Sequence, residues 1–151
     1  MQNDEFVSAV MQATSVAVRN HRREKIDALR HAVLNSALGK SPGDIKSAMF
    51  VALVDQFTVW HLQVLLMLSQ LQATKGQNEL PKARISQITE VVLRKIPELN
   101  TQKALTEIVV EDLCRKGLLY WVEGPTTAYT PQETSQITDL GKEFLQYISS
   151  P

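Results

Sequence analysis

Cysteine is nearly absent from this chain of 151 residues, and the shortage excludes an internal disulfide, because Cys114 stands alone. A single cysteine fits a reducing compartment, and we interpret Cys114 as a small buried residue rather than a reactive thiol. Histidine is almost as scarce. His21, His31 and His61 include no pair four residues apart, which is the spacing of a helical metal pair. We therefore predict no metal site and no cofactor.

The chain also lacks a net charge. Lys plus Arg and Asp plus Glu number 16 each, so the formal net charge is zero. A dedicated nucleic-acid binder normally carries a clear basic excess, because its partner is a polyanion. The charge balance therefore disfavours nucleic acid as a partner without excluding it.

Long uninterrupted hydrophobic runs and a secretory start are lacking too. The most apolar region, residues 48–71, is interrupted by Asp55, Gln56, His61 and Gln63, and polar residues at that density argue against a membrane span. The first ten residues, MQNDEFVSAV, contain no basic segment followed by an apolar run, so they do not have the pattern of a signal peptide. We expect a cytoplasmic protein that does not associate with a membrane.

Catalytic signatures are missing as well. The sequence contains no nucleophile elbow, P-loop, dinucleotide fingerprint or HExxH motif. Asp55, His61 and Ser69 share a region only as ordinary polar residues of a helical pattern. We predict that the protein is not an enzyme, and an enzyme with an unrecognised site is kept as an alternative of a third class.

Glycine and proline do not occur before Gly39. With Asn3 as a cap and acidic residues in the first turn, the pattern predicts one long helix over residues 4–38. Its apolar seam begins with Phe6, Val10, Ala13 and Ala17 and fails in the polar segment 19–25, RNHRREK. Leu38-Gly39 is a good helix stop, because glycine adopts the left-handed conformation readily.

A second helix is predicted at residues 42–57, started by Ser41-Pro42-Gly43-Asp44. No glycine or proline divides the apolar pattern that continues to Leu71, but 55–58 is its most polar stretch. We favour a break there, so that Val59 begins a further helix, and an unbroken helix over 42–72 is the alternative. The predicted domains are an N-terminal helical region, 1–57, and a second domain, 58–151.

The C-terminal part is organised around residues 105–119, LTEIVVEDLCRKGLL. This pattern predicts a helix that ends at Gly117 and turns directly into a strand at 118–122. The residues expected on its packed side are Leu105, Ile108, Val109 and Leu113. Further strand candidates are 126–130 and 135–137, and Thr138 is expected to cap a last helix that packs through Leu140, Phe144 and Ile148.

From Val59 to Ile148 the order of helix, short strand, helix, turn, helix, strand, wing, strand and helix resembles the winged helix-turn-helix superfamily. The junction Gly117-Leu118-Leu119 and the closing TDLGKEFLQYI look like the corresponding parts of MarR-like bacterial domains. LRHAVLNSAL and Trp60-His61-Leu62 look like the helical half of uncharacterised bacterial proteins that end in such a domain. The resemblance implies a mainly α fold with a small antiparallel β wing, in which N-terminal helices precede the winged helix-turn-helix.

In DNA-binding members of this superfamily the third helix enters the major groove and the wing contacts phosphates. Here residues 101–137 contain three basic and five acidic residues, and phosphate binding needs cations. We therefore predict a non-catalytic protein-interaction or regulatory module with a degenerate winged helix. The alternative is a DNA-binding transcriptional regulator that uses the helix 101–116 and the wing. The candidate contacts on this helix are Lys103, Thr106 and Arg115.

One basic cluster lies outside this helix, at Arg19, Arg22 and Arg23. These arginines are candidate contacts for phosphate or for an acidic partner surface. A solvated helix face, balanced in part by Glu24 and Asp27, is the interpretation that we favour.

The long N-terminal helix leads to a prediction about assembly. Helices in water are stabilised mostly by the packing of an apolar face, and a small winged domain covers only a few turns of a helix this long. The seam formed by Phe6, Val10, Ala13 and Ala17 would then face water. We predict a homodimer through the N-terminal helices with this seam as its interface, and packing of the helix on residues 49–71 is the alternative.

Overall fold

Helices make up most of the described part of the chain. A computed structural model describes residues 2–75, 84–121 and 137–151. Its helices are α1 (Gln2–Arg19), α2 (Arg23–Ala37), α3 (Asp44–Gln56), α4 (Val59–Lys75), α5 (Ile85–Lys95), α6 (Lys103–Arg115) and α7 (Asp139–Ile148), with a 3-10 turn at Pro97–Leu99. The contacts form two compact units, residues 1–59 with 143–151 and residues 60–142. The predicted winged-helix-like domain over 58–151 stays a prediction, and residues 143–151 belong to the first unit.

The predicted fold class, with its small antiparallel β wing, is wrong: the structure is all-helical, and residues 2–75, 84–121 and 137–151 contain no strand. The only β-type pairing recorded among them is one isolated antiparallel bridge between Leu119 and Ile137. It extends no further after Ile137 because Thr138 already caps α7, its hydroxyl accepting the Gly141 N–H at 2.9 Å. The strand candidate 126–130 and most of 135–137 lie outside the described residues. The resemblance to the winged-helix superfamily stays a prediction.

The predicted helix over 4–38 is divided into α1 and α2 at residues 20–22. No glycine or proline makes this break. Asn20 terminates α1 instead. Its side-chain amide donates to the Val16 carbonyl oxygen at 2.9 Å and to Asp55 Oδ1 at 3.0 Å. Arg22 then adopts an extended conformation and its carbonyl accepts the N–H of Ile26, which starts α2. The break lets α1 fold back against α2 and α3.

The break favoured near residues 55–58 is found. α3 ends at Gln56, the Leu53 carbonyl accepts the N–H of an extended Phe57, and α4 begins at Val59. The start of α3 differs from the prediction. Gly43, with φ of 99°, is the residue before the helix, so Pro42 lies outside it. Ser41 still supports the turn, because its hydroxyl accepts the Gly43 N–H at 3.2 Å.

The first unit packs around an aromatic cluster. Phe50 and Phe144 meet edge to face with ring centroids 5.4 Å apart, and Phe57 meets Phe144 at 6.1 Å. Tyr147 completes the cluster at 6.0 Å from Phe50. The end of α7 is fixed by Asn35, which is buried and donates its side-chain amide to the last carbonyl oxygens, those of Gln146, Tyr147 and Ser149. The C-terminal carbonyls of a helix have no partner within it, so α2 supplies one.

The second unit contains the predicted junction after α6. Gly117 has φ of 77°, its N–H bonds the Cys114 carbonyl, and the Leu118 N–H bonds the Leu113 carbonyl. This arrangement ends the helix with a left-handed residue, a conformation that glycine adopts at low energetic cost. Gly141 at the start of α7 is required for a different reason. A Cβ there would lie 2.7 Å from Ile137 Cγ2 and would overlap the Leu118 carbonyl oxygen.

Candidate interaction surface

The predicted dimer seam is packed inside the monomer to a large extent. Ala13 is 5% exposed, and Phe6, Val10 and Ala17 are half-buried, because α1 folds back on α2 and α3. Much of this seam is therefore covered without a second copy, and the homodimer through the seam stays a prediction. It depended on one continuous helix with too little protein to cover it, and the break at 20–22 removes that premise.

A neighbouring side of α1 carries an exposed and mostly apolar row. Val7, Met11 and Val18 are 48%, 68% and 83% exposed, and the exposed Thr14 lies between them on the same face. Sequence reasoning missed this row, which follows the predicted seam by one residue and includes a polar hydroxyl. Both rows repeat at the spacing of a helix face, so periodicity alone could not select between them.

α3 presents a matching row. Ile45 and Met49 are 87% and 39% exposed, and Ala52 is exposed one turn further on. We call these two rows together the α1–α3 face, formed by Val7, Met11, Thr14 and Val18 on α1 and by Ile45, Met49 and Ala52 on α3. Single exposed apolar side chains are normal, but a set of them on two neighbouring helices is typical of a contact surface.

A shallow groove of about 370 Å³ lies between the two helices. Small side chains form much of its lining. The residues that line it include Met11, Gln12, Ser15 and Arg19 from α1 and Ala48, Ala52 and Asp55 from α3. The groove is apolar along most of its length and ends in an ion pair, so it suits an apolar side chain rather than a charged ligand.

The ion pair at the end of the groove belongs to a polar cluster. Arg19 Nη2 lies 2.8 Å from Asp55 Oδ2, and Lys25 Nζ donates to the Asp55 main-chain carbonyl at 2.8 Å. Hydrogen bonds from Asn20 and then from Arg19 hold the pKa of Asp55 below its ordinary value. Burial lowers the pKa of Lys25, and the negative charge of Asp55 offsets part of that shift.

The other members of the predicted basic cluster lie in solvent. Arg22 is exposed in the turn between the helices, and Arg23 Nε lies 3.8 Å from Asp27 on the surface of α2. Of the three arginines, only Arg19 takes part in the groove. The favoured interpretation of a solvated face therefore describes Arg22 and Arg23, whereas Arg19 and its neighbour Lys25 have a structural role at the break.

The candidate contact residues of the third helix, α6, differ in part from the prediction. Lys103 Nζ lies 3.0 Å from Glu90 Oε1, and Arg115 Nη2 lies 2.7 Å from Glu111 Oε1. Both cations are exposed, and each already pairs with a carboxylate. Thr106 does not point outward as predicted. It is fully buried, and its hydroxyl donates to the Gln102 carbonyl at 2.9 Å.

The packed side of α6 also differs from the prediction. Leu105 and Ile108, expected inside, are 37% and 56% exposed, while Val109 and Leu113 are buried as expected. The helix is rotated so that Thr106 and Val110 face the core. The outer side of α6 therefore combines exposed aliphatic groups with paired charges, which is a poor surface for a phosphate backbone.

Two further side chains of types that take part in catalysis or metal binding lie in the second unit. His61 is buried, and its Nε2 lies 3.1 Å from Asp112 Oδ2. Cys114 is buried as well, and burial, assisted by the nearby Glu111 carboxylate, raises the pKa of its thiol to about 12. No group of three or more potential metal ligands comes together within the described ranges.

Comparisons with known proteins find no match: no family model matches the chain, and neither a curated protein nor a solved structure matches it. Among the helices of the described residues, none is by itself both long and apolar enough to cross a membrane. α3 and α4 reach that length and composition only when they are taken together across their bend.

Proposed function

We propose that the chain is a non-catalytic protein-interaction module of the cytoplasm and that the α1–α3 face is its contact surface. The observation that carries this proposal is the exposure of apolar side chains in two parallel rows on neighbouring helices, with Met11 and Ile45 among the most exposed. Such a surface gains free energy when a protein partner removes it from water.

The charges around the face support a protein partner over nucleic acid. Asp4 and Asp44 lie exposed where α1 and α3 begin, and Arg22 lies exposed beyond the end of α1. A charged rim of both signs around an apolar centre is typical of protein interfaces, whereas a DNA-binding surface is uniformly basic. The regulatory role is an interpretation of the same feature, since a small module without a catalytic motif acts through what it binds.

Site-specific photo-crosslinking tests the proposal. A photoreactive amino acid at position 11 is expected to form an adduct with a polypeptide in the native host. The same group at position 30, where Arg30 is exposed on α2, serves as the matched control and should form none. Adding Val18→Glu should remove the adduct at position 11, because a buried unpaired carboxylate opposes association.

Fluorescence anisotropy with a random DNA duplex at low salt tests the alternative of a DNA-binding regulator. The proposal predicts weak binding with a shallow dependence on salt. Tight binding with a steep salt dependence, abolished by Lys103→Glu together with Arg115→Glu, would contradict it and would favour the DNA-binding regulator instead.

A further inference from the structure

We propose that the occupant of the α1–α3 face is a second copy of this chain, bound through a two-fold axis that sets the helices of the two copies antiparallel. The inference rests on the proposed function, because it names the partner of the same surface. It replaces the predicted seam with the neighbouring side of α1.

The spacing of the exposed row is self-complementary. Val7, Met11, Thr14 and Val18 follow one another at intervals of four, three and four residues, so the row has the same intervals in both directions. An antiparallel two-fold axis therefore places Val7 against Val18 of the second copy. It also places the long side chain of Met11 against the shorter Thr14 of the second copy, which lets the helices interdigitate.

Threonine is compatible with this position although it carries a hydroxyl. Its methyl group supplies apolar contact for the methionine of the second copy. A threonine hydroxyl within a helix is able to donate to a carbonyl oxygen of the preceding turn. Burial of Thr14 at the interface therefore leaves no polar group without a partner.

α3 extends the same pattern. Ile45, Met49 and Ala52 begin a row with the intervals four and three, and a shorter residue follows the methionine as it does on α1. The two helices run in the same direction, since Arg19 near the end of α1 bonds Asp55 near the end of α3, while Met11 and Ala48, both earlier in their helices, line the same groove. The antiparallel axis consequently pairs α1 with α1 and α3 with α3 of the second copy.

Charge decides between the two arrangements that bring this face against itself. The acidic residues Asp4, Glu5 and Asp44 lie at the starts of the two helices, and the basic residues Arg19 and Arg22 lie at, or just beyond, the other end of α1. A parallel arrangement would place like charges together. The antiparallel arrangement brings the acidic start of α1 to the basic end of α1 in the second copy, and it also opposes the helix dipoles favourably.

The small area of the face limits the strength of the dimer. Residues 7–18 span about 17 Å of helix, and two helices packed at an axial distance of about 9 Å give a face roughly 20 Å wide. Such a face is smaller than the surface of about 800 Å² per partner that stable dimers bury. We therefore expect a dimer that dissociates on dilution, with a dissociation constant in the micromolar range.

Sedimentation velocity of the full chain over a dilution series measures this association. We expect a reversible change from dimer mass to monomer mass. Met11→Glu should raise the dissociation constant at least about tenfold, with unchanged helix content by circular dichroism because the side chain is mostly in solvent. Ile108→Glu is the matched control, since it places the same charge on an exposed aliphatic position of α6, and it should leave the dissociation constant unchanged.

A charge exchange tests the antiparallel arrangement specifically. Asp4→Lys and Arg22→Glu should each weaken the dimer, because each places like charges at both ends of the interface. Mixing the two variants should restore dimer mass, since the new lysine of one chain then meets the new glutamate of the other and the unchanged pair is also matched. No recovery on mixing, while each variant alone is weakened, would overturn the antiparallel arrangement.

Two outcomes would overturn the second copy as the occupant. The first is a wild-type chain that remains monomeric at roughly 500 micromolar, well above the expected range. The second is a dimer whose strength Met11→Glu does not change. A monomer that still forms an adduct with another polypeptide from position 11 would refute this inference while the proposed function stands. Tight duplex binding without any such adduct would refute the proposed function itself.

Discussion

Replacing Asp55 by asparagine should lower the free energy of unfolding by about 2 kcal/mol, because one carboxylate holds the break between α1 and α2. Asp55 accepts hydrogen bonds from Arg19 at 2.8 Å and from Asn20 at 3.0 Å, and its charge lies near the buried Lys25. Asparagine preserves the size of the side chain but removes the charge and places an amide where one oxygen was.

The magnitude has three contributions. Arg19 is 59% exposed, so the loss of its ion pair contributes well below about 1 kcal/mol after screening by solvent. The bond from Asn20 changes from a charged to a neutral acceptor, which costs about 1 kcal/mol. Lys25 is only 6% exposed, and the loss of its counter-charge contributes a similar amount. For a chain of this length, about 2 kcal/mol corresponds to roughly 4–8 °C in Tm.

The dependence of folding stability on pH provides a second measurement of the role of Asp55. The pKa of Asp55 is lower in the folded chain, so its stabilisation is present above the unfolded pKa of about 3.9 and is lost as the pH falls through the folded pKa. The Asp55→Asn variant should not show this part of the loss of stability at acid pH. The pKa of Lys25 is also lowered on folding, so stability rises with pH between its folded and unfolded values. The variant should begin that rise at a lower pH.

Urea unfolding followed by circular dichroism, at pH 3, pH 7 and pH 9, measures these effects. Asp27→Asn is the matched control, because Asp27 lies 3.8 Å from the exposed Arg23, and a loose surface pair contributes little. The reasoning is refuted if the two variants have equal stability at pH 7, or if Asp55→Asn loses as much stability in acid as the wild type.

Three further predictions concern single residues. Gly141→Ala should lower the free energy of unfolding by about 1–3 kcal/mol in urea titrations, since the added methyl would meet Ile137 and the Leu118 carbonyl; an unchanged midpoint would contradict this close approach. Asn35→Ala should cost at least about 2 kcal/mol by the same measurement, because it strips the buried partner from the carbonyls that end α7, and an effect below roughly 0.5 kcal/mol, that of a surface change, would argue against that role. Cys114, whose thiol pKa is raised to about 12, should react with a disulfide reagent at pH 8 far more slowly in the folded chain than in urea, and equal rates would show that the thiol is accessible.

Local signals predicted the parts of the fold that local chemistry decides. The stop at Gly39, the end of α6 at Gly117 and the cap at Thr138 each depend on a backbone conformation or a hydrogen bond within a few residues. The break before Val59 was found from the polarity of four neighbouring residues.

The features that sequence reasoning missed depend on contacts between distant residues. The break at Asn20 falls in the polar segment 19–25, but no glycine or proline marks it, and it is stabilised by Asp55, which lies 35 residues away. Its consequence is that α1 turns its seam toward the rest of the first unit and leaves the adjacent row exposed. On α6, Thr106 is buried and its hydroxyl bonds the backbone of its own helix, but a pattern of hydrophobic residues does not predict a buried threonine. The packed face was therefore predicted to include Leu105 and Ile108 instead of Thr106 and Val110. The β wing was inferred from the strand candidates and from the resemblance, and within the described residues the candidates make one bridge, between Leu119 and Ile137.

A photo-crosslinking scan of both rows of α1 distinguishes the exposed row from the predicted seam as the contact surface. The photoreactive group is placed in turn at positions 7, 11, 14 and 18 of the exposed row and at positions 6, 10, 13 and 17 of the predicted seam, in chains shown to be folded. We expect adducts with a polypeptide from the exposed row and none from the seam. Adducts from the seam, or from neither row, would contradict the claim that the α1–α3 face is the contact surface.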